Sequence, residues 1–375
     1  MDTLGQCFRL IYMMQSFLSR SGNSLISLEV VIRRRCDAPD TLCNSLSSDI
    51  FNILKPYLGR LNYLSLFPCN MMEPLLMLPG GTAKVLQAIS LSFDVDSDLL
   101  AGAEEREVVE LDDLLPPRVT LFDATPNLRE VTLTMEFVDV NLSAFRLPWA
   151  QLTRLVVTDA FITFAGGHTV LRQCTNLISC VLGIVPDSEC TGDVPETVLP
   201  NLQSLALHTY HDHGRRGRFL MPFVLPSLKH LKLCVDSEWC ELSGEEAASL
   251  ISRSGCRLER LEAKGLDPYD VHVILSSATS LADLSLDFFY NTPVDDLIFE
   301  IVDGSVVPNF HTIRITFPFA DLFIELLEQG LMPSVRLMVI HGQPESANED
   351  VKSSLARLRA QGIDVIFQFD DFVST

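Results

Sequence analysis

Positive charge is scarce in this chain: 28 Lys and Arg stand against 49 Asp and Glu in 375 residues, a formal net charge of -21. A phosphate backbone is held by clustered Lys and Arg, so this balance argues against nucleic acid as the ligand. Arg33-Arg-Arg35 and Arg215-Arg-Gly-Arg218 are the local exceptions, and both read as solvated loop residues that follow a strand. Long apolar runs are missing too. Leu10-Ile-Tyr-Met-Met-Gln-Ser-Phe-Leu18 is too short to span a bilayer, contains Gln15, and has no basic stretch before Arg9. It reads as neither anchor nor signal peptide, and no membrane is expected as partner. The ten cysteines, at 7, 36, 43, 69, 174, 180, 190, 234, 240 and 256, form no C-x-x-C pair and no zinc spacing. They read as reduced, apolar fillers of an intracellular protein, cytoplasmic or nuclear. Also absent are the phosphate-binding G-x-x-x-x-G-K-[ST], the G-x-S-x-G elbow and the H-E-x-x-H helix, and Leu78-Pro-Gly-Gly-Thr-Ala-Lys84 lacks the phosphate-loop spacing. No enzyme and no cofactor are expected.

What the chain has in abundance is leucine at a fixed interval. Leu199-Pro-Asn-Leu-Gln-Ser-Leu-Ala-Leu207 and Leu225-Pro-Ser-Leu-Lys-His-Leu-Lys-Leu233 are two copies of L-P-x-L-x-x-L-x-L that start 26 residues apart. Within each copy the last two leucines alternate with a polar or small residue, as in a half-buried strand. Taking the first apolar residue of each L-x-x-L-x-L window as its marker, the phrase recurs at Leu25, Leu61, Leu86, Leu128, Leu152, Leu177, Leu202, Leu228, Leu258, Leu281, Phe310 and Val335. The intervals are 36, 25, 42, 24, 25, 25, 26, 30, 23, 29 and 25 residues. A period in the twenties around L-x-x-L-x-L predicts an α/β leucine-rich-repeat solenoid: a curved parallel β-sheet on the concave face, with helices and loops on the convex face.

Helical spacing between the markers agrees with that order. Asp49 to Leu58 predicts a helix that Pro56 bends or shortens. Ser243 with Glu246 three residues on reads as a capping box that opens a helix to Ser252. Further helices are predicted at Asp267 to Ser277, Pro293 to Val302, Ala320 to Gln329 and Ala347 to Gln361, the last stopped by Gly362 before a closing strand, Ile363 to Phe369. The division is an N-terminal capping helix segment over 1–24 and one repeat domain of about twelve irregular units over 25–375. The Asn that the commonest repeat places after its last leucine is missing, with only Cys69 fitting that position, so no side-chain ladder is expected there.

Two loops carry ligand-type residues. Asp94, Asp96, Asp98 and Glu105 mimic a calcium loop, but Leu99 stands where the sharp turn needs Gly, and the segment reads as an acidic insertion. His208, His211 and His213 lie together with Asp212, enough donors for a transition metal, yet directly after a strand they read as a solvated loop. No metal site is expected. The remaining candidate is the outward side of the strands. There the early units are small or hydroxylic, as at Thr132, Thr134, Ser204 and Ala206, whereas His230, Lys232, Arg260, Glu262, Lys264, Asp283 and Asp287 fall on adjacent rungs. Two readings stand: a protein-partner surface, or neighbouring charges that pair with one another.

Leu147-Pro-Trp-Ala-Gln-Leu-Thr-Arg-Leu155, Leu171-Arg-Gln-Cys-Thr-Asn-Leu177, Leu250-Ile-Ser-Arg-Ser-Gly-Cys-Arg-Leu-Glu-Arg-Leu261 and Phe17-Leu-Ser-Arg-Ser-Gly-Asn-Ser-Leu-Ile-Ser-Leu28 resemble the repeat region of the fungal F-box leucine-rich-repeat proteins. The resemblance covers nearly the whole chain. It implies a scaffold whose repeats hold a protein substrate, while a preceding helical F-box docks on the adaptor of a cullin-type ubiquitin ligase. Met1 to Ser16 does not hold such a module, so no adaptor-binding residue carries over and the adaptor is a partner only if an F-box lies upstream. A stand-alone interaction or inhibitor protein, monomeric and without a ubiquitin link, is the alternative.

Overall fold

The structure, a computed structural model, describes residues 3–31, 48–67, 73–93, 119–135, 142, 145–186, 195–209, 218–235, 243–289, 292–302, 306, 310–329, 334–341 and 349–368. It is mixed α/β and divides into two compact units, Met1–Leu177 and Ile178–Thr375.

The first unit opens with helix α1 (Thr3–Arg20) and strand β1 (Ile26–Val31). Helix α2 (48–54) runs into a 3-10 helix at Lys55–Arg60 with Pro56 in its first turn, the shortening that the proline predicts. Strand β2 (Leu61–Phe67), the single turn α3 (Glu73–Leu76), β3 (Ala88–Phe93), β4 (Glu130–Met135), β5 (Arg154–Thr163) and helix α4 (Phe164–Leu171) follow. Strands β1 to β5 pair in chain order, each parallel to the next.

The second unit contains β6 (Ser179–Val185), the two-residue β7 (Thr197–Val198), β8 (Ser204–Thr209), the two-residue β9 (Phe223–Val224) and β10 (His230–Val235). Then strands and helices alternate: α5 (Gly244–Ser254), β11 (Arg260–Lys264), α6 (Pro268–Ser277), β12 (Asp283–Asp287), α7 (Asp295–Val302), β13 (Thr312–Thr316), α8 (Phe317–Glu328), β14 (Leu337–His341), α9 (Glu349–Ala360) and β15 (Asp364–Gln368). The strands β6, β8 and β10 to β15 are parallel neighbours, while β7 pairs with β9 apart from them. Helices α5 and α6 pack together, as do α6 and α7; α8 lies against β13, β14 and α9.

The leucine ladder forms the core of each unit. Every marker from Leu61 to Val335 is at most 2% exposed. The register puts like on like, as with Cys180, Leu205 and Leu231, then Leu261 and Leu284. One continuous apolar row therefore runs through each sheet's buried side, and dispersion plus loss of wet apolar surface hold it.

The turn before each strand explains the L-P-x-L phrase. Leu202 N donates to Leu199 O at 3.3 Å and Leu228 N to Leu225 O at 3.1 Å, so Pro200 and Pro226 occupy the second position of a four-residue turn. Proline's fixed φ suits that position and its missing N–H costs nothing there. Just past the marker a backbone ladder locks adjacent rungs: Gln203 N to Ile178 O, Lys229 N to Gln203 O, Glu259 N to Lys229 O and Ala282 N to Glu259 O are all 2.8 or 2.9 Å.

A side-chain ladder also forms, at a position other than the missing consensus Asn. It uses the residue just before the marker. Asn127 Nδ2 donates to Lys84 O at 2.9 Å, Asn176 Nδ2 to Ala150 O at 2.8 Å, Ser227 Oγ to Pro200 O at 2.6 Å and Ser280 Oγ to Leu258 O at 2.8 Å. The first three bonds satisfy a carbonyl in the preceding repeat's turn, and the fourth satisfies that of the preceding marker, Leu258. Asn176→Ala is expected to cost about 1 kcal/mol in urea unfolding, whereas an unchanged midpoint would mean that water replaces the amide without loss.

Three sequence expectations are corrected. In the first repeat the buried residue is Ile26 at 3%, while the marker Leu25 is 59% exposed. The pairing jumps from Ile26↔Leu61 to Ser27↔Tyr63, so Asn62 is an extra residue that shifts the register at this end of the sheet. The capping box is only half made. Ser243 accepts from Glu245 N at 3.2 Å, but the Glu246 side chain turns inward and accepts a hydrogen bond from the Leu220 backbone. Helix α8 starts at Phe317, three residues earlier than Ala320, because Pro318 fits a first turn. Helices α6, α7 and α9 and the closing strand lie within two residues or so of their predicted limits. Helix α1 buries Leu18 and leaves Tyr12, Met13 and Phe17 exposed.

Candidate partner-binding surface

Strands β10 to β13 carry the candidate side chains on the face away from the leucine ladder, since residues two apart on a strand share a side. Parallel pairing sets them in rows. His230, Arg260, Asp283 and Thr312 form one row; Lys232, Glu262, Ser285 and Arg314 form the next; Cys234, Lys264 and Asp287 form a third.

Across these rows the charges meet. Lys232 Nζ lies 3.7 Å from Glu262 Oε2, and Arg260 Nη2 lies 2.6 Å from Glu262 Oε1. Arg260 Nε is 3.9 Å from Asp283 Oδ2, and Arg314 donates to the other oxygen of Asp283. Lys264 Nζ is 3.8 Å from Asp287 Oδ2. Six of the seven predicted residues are thus brought together, and His230 stands at the head of the group, exposed and beside Arg260 in register. Opposite charges on neighbouring rungs therefore pair. Partly exposed pairs of this kind contribute about 0 to 1 kcal/mol each, so their chief effect is to hold the side chains in defined positions.

Arg314 lies outside the predicted set, yet the register places it on the same outward face, opposite Ser285. It is less exposed than the lysines, with 20% of its side chain accessible against 43% for Lys232 and 58% for Lys264. Its hydrogen bond to Asp283 is the main reason that its guanidinium is held protonated above its ordinary range. The sequence signal was a lone cation two residues after Thr312, which becomes legible only once the register sets it next to Asp283. With Arg314 included, four cations face three carboxylates, a slight positive excess in a chain of net charge -21.

No catalytic arrangement occurs in these rows. Among the described thiols Cys174, Cys180 and Cys234 are buried and Cys256 is half-buried, and burial pushes the Cys174 thiol up to about 12, far from a reactive thiolate. His208 lies on β8, while His211 and His213 fall outside the described residues, as do Asp94, Asp96, Asp98, Glu105, Arg33 to Arg35, Arg215 and Arg216. Among the described residues no three His, Cys, Asp or Glu side chains are grouped to hold a metal, and no helix is long and apolar enough to cross a membrane. Compared with known proteins, the chain matches no family model and no curated sequence.

Proposed function

We propose that this chain is a leucine-rich-repeat solenoid that binds a protein partner, in the manner of the substrate-recognition region of an F-box protein. The observation that carries this reading is the set of charged side chains fixed on four consecutive parallel rungs, β10 to β13. A protein surface needs oriented charges at fixed spacings to be recognised, and strands that pair in chain order supply that spacing. The repeat phrases that resemble the fungal F-box proteins, Leu147 to Leu155 and Leu250 to Leu261 among them, connect the scaffold to ubiquitin ligation. In that role the chain positions its partner, and the chemistry belongs to the ligase.

The test is a double reversal. Lys232→Glu with Lys264→Glu leaves Glu262 and Asp287 beside new carboxylates at partly exposed sites. Partner capture should weaken about tenfold or more, since like charges set against each other in an interface cost several kcal/mol, while the unfolding midpoint moves little. Loss of folding with binding intact in the folded fraction contradicts the surface. Co-purification of the ligase adaptor from cells that express the natural full-length product separates the ubiquitin role from a stand-alone interaction protein.

A further inference from the structure

We propose that Glu246 is a proton-controlled latch: its buried carboxyl and Arg253 together hold the 218–224 segment on helix α5, and loss of the carboxyl proton opens that segment.

Glu246 stands in the first turn of α5, where a Glu normally faces water and favours the helix N-terminus. Here it is 8% exposed. One carboxyl oxygen, Oε1, has no hydrogen-bond partner, and the carboxyl accepts from the Leu220 backbone N–H. Two turns along the same helix, Arg253 Nε donates to Phe223 O at 2.9 Å, Arg253 Nη2 to Leu220 O, and Nη1 is fixed by Ser249 Oγ at 2.8 Å. Two side chains of one helix therefore grip one short segment, which ends in β9 and runs into the Leu225-Pro226 turn. Phe219 and Phe223, whose ring centroids are 5.5 Å apart, and Leu220 are buried beneath the grip.

The charged groups around the carboxyl do not offset its burial. Arg218 on the segment and Arg253 on α5 attract the ionised form, while Glu196 draws on Arg253 from the β7 side. Glu245 is exposed. On α6 the Asp270 carboxylate is committed to Gly244 N at 2.7 Å, and His272 to Glu300 at 2.5 Å. Desolvation prevails and pushes the Glu246 carboxyl from its ordinary 4.5 up to about 7.

The closed segment thus favours the protonated acid and the open one the carboxylate. The stabilisation is complete below about 4.5 and is lost as the pH rises through about 7. Closure therefore weakens between about 4.5 and about 7, and opening would uncover the Phe219, Leu220 and Phe223 side chains.

Amide hydrogen exchange of Leu220, Met221 and Phe223 between pH 5 and 8, corrected for intrinsic base catalysis, tests the latch. Wild-type protection is expected to fall by up to tenfold per pH unit and to level off above about 7, while Glu246→Gln keeps a flat, high protection. The same pH dependence in both proteins, or none in the wild type, overturns it. A carbon-13 titration of the wild-type carboxyl is decisive even if the variant fails to fold: a midpoint near 7 is expected, and one near 4.5 refutes the latch.

Discussion

Leu205→Asp is expected to destabilise the fold by about 4 kcal/mol or more at 25 °C. Leu205 is 2% exposed and lies in register between Cys180 and Leu231, which are themselves 0% and 1% exposed. Rungs on both sides exclude water, and no cation lies in this row to pair with a carboxylate. The Asp must either ionise in an apolar layer or remain neutral with unmet hydrogen bonds, and either state costs about 4 kcal/mol or more. That is a large part of the roughly 5 to 15 kcal/mol that holds a typical domain. His230→Asp is the control, an exposed site beside Arg260, where a change within about 0.5 kcal/mol is expected. Circular dichroism and urea melts read both. A folded Leu205→Asp protein with near-native stability would mean that this strand is not an inner rung.

Gly265→Ala is expected to cost about 3 kcal/mol or more through two separate effects. The residue ends β11 with φ +70, and its N–H donates to Asp287 O at 2.7 Å on the next rung. A Cβ there would collide with the Val235 carbonyl at the end of β10 and come within 2.9 Å of the Phe289 ring. The ring could swing aside; the carbonyl belongs to the backbone of β10, a strand paired on both sides. Gly255 shows what the backbone term alone is worth. It caps α5 at φ +56 with open space around it, so Gly255→Ala should cost only about 1 to 2 kcal/mol. Thermal melts of the two variants separate collision from conformation: equal losses would mean that the packing at Gly265 relaxes.

The sheet was legible because its signal is period two with burial on one side. At Leu64 and Leu66, or Leu261 and Ala263, the alternating residues are buried in the order that the phrase predicts. Where two apolar residues adjoin, as at Leu25 and Ile26, alternation cannot choose between them, and the irregular pairing around Asn62 selects Ile26. Sequence spacing also cannot tell whether a Glu three residues after a helix cap reaches back to the cap or turns into the core. Glu246 does the second because Leu220, distant in sequence, offers its N–H and apolar cover. The ladder of Asn127, Asn176, Ser227 and Ser280 was visible only as a polar residue before most markers, a pattern shared with ordinary turns. For the surface, the sequence supplied the outward residues, while the register decided which of them touch.

All of these expectations need consecutive leucine phrases to be adjacent parallel rungs. A crystal structure of the protein measures this directly through the Cα positions of Leu205, Leu231, Leu261 and Leu284. The account predicts four strands running the same way, stepped by about 4.8 Å per rung, with those side chains in one buried row. Antiparallel neighbours, or the same leucines divided among separate cores, would contradict it.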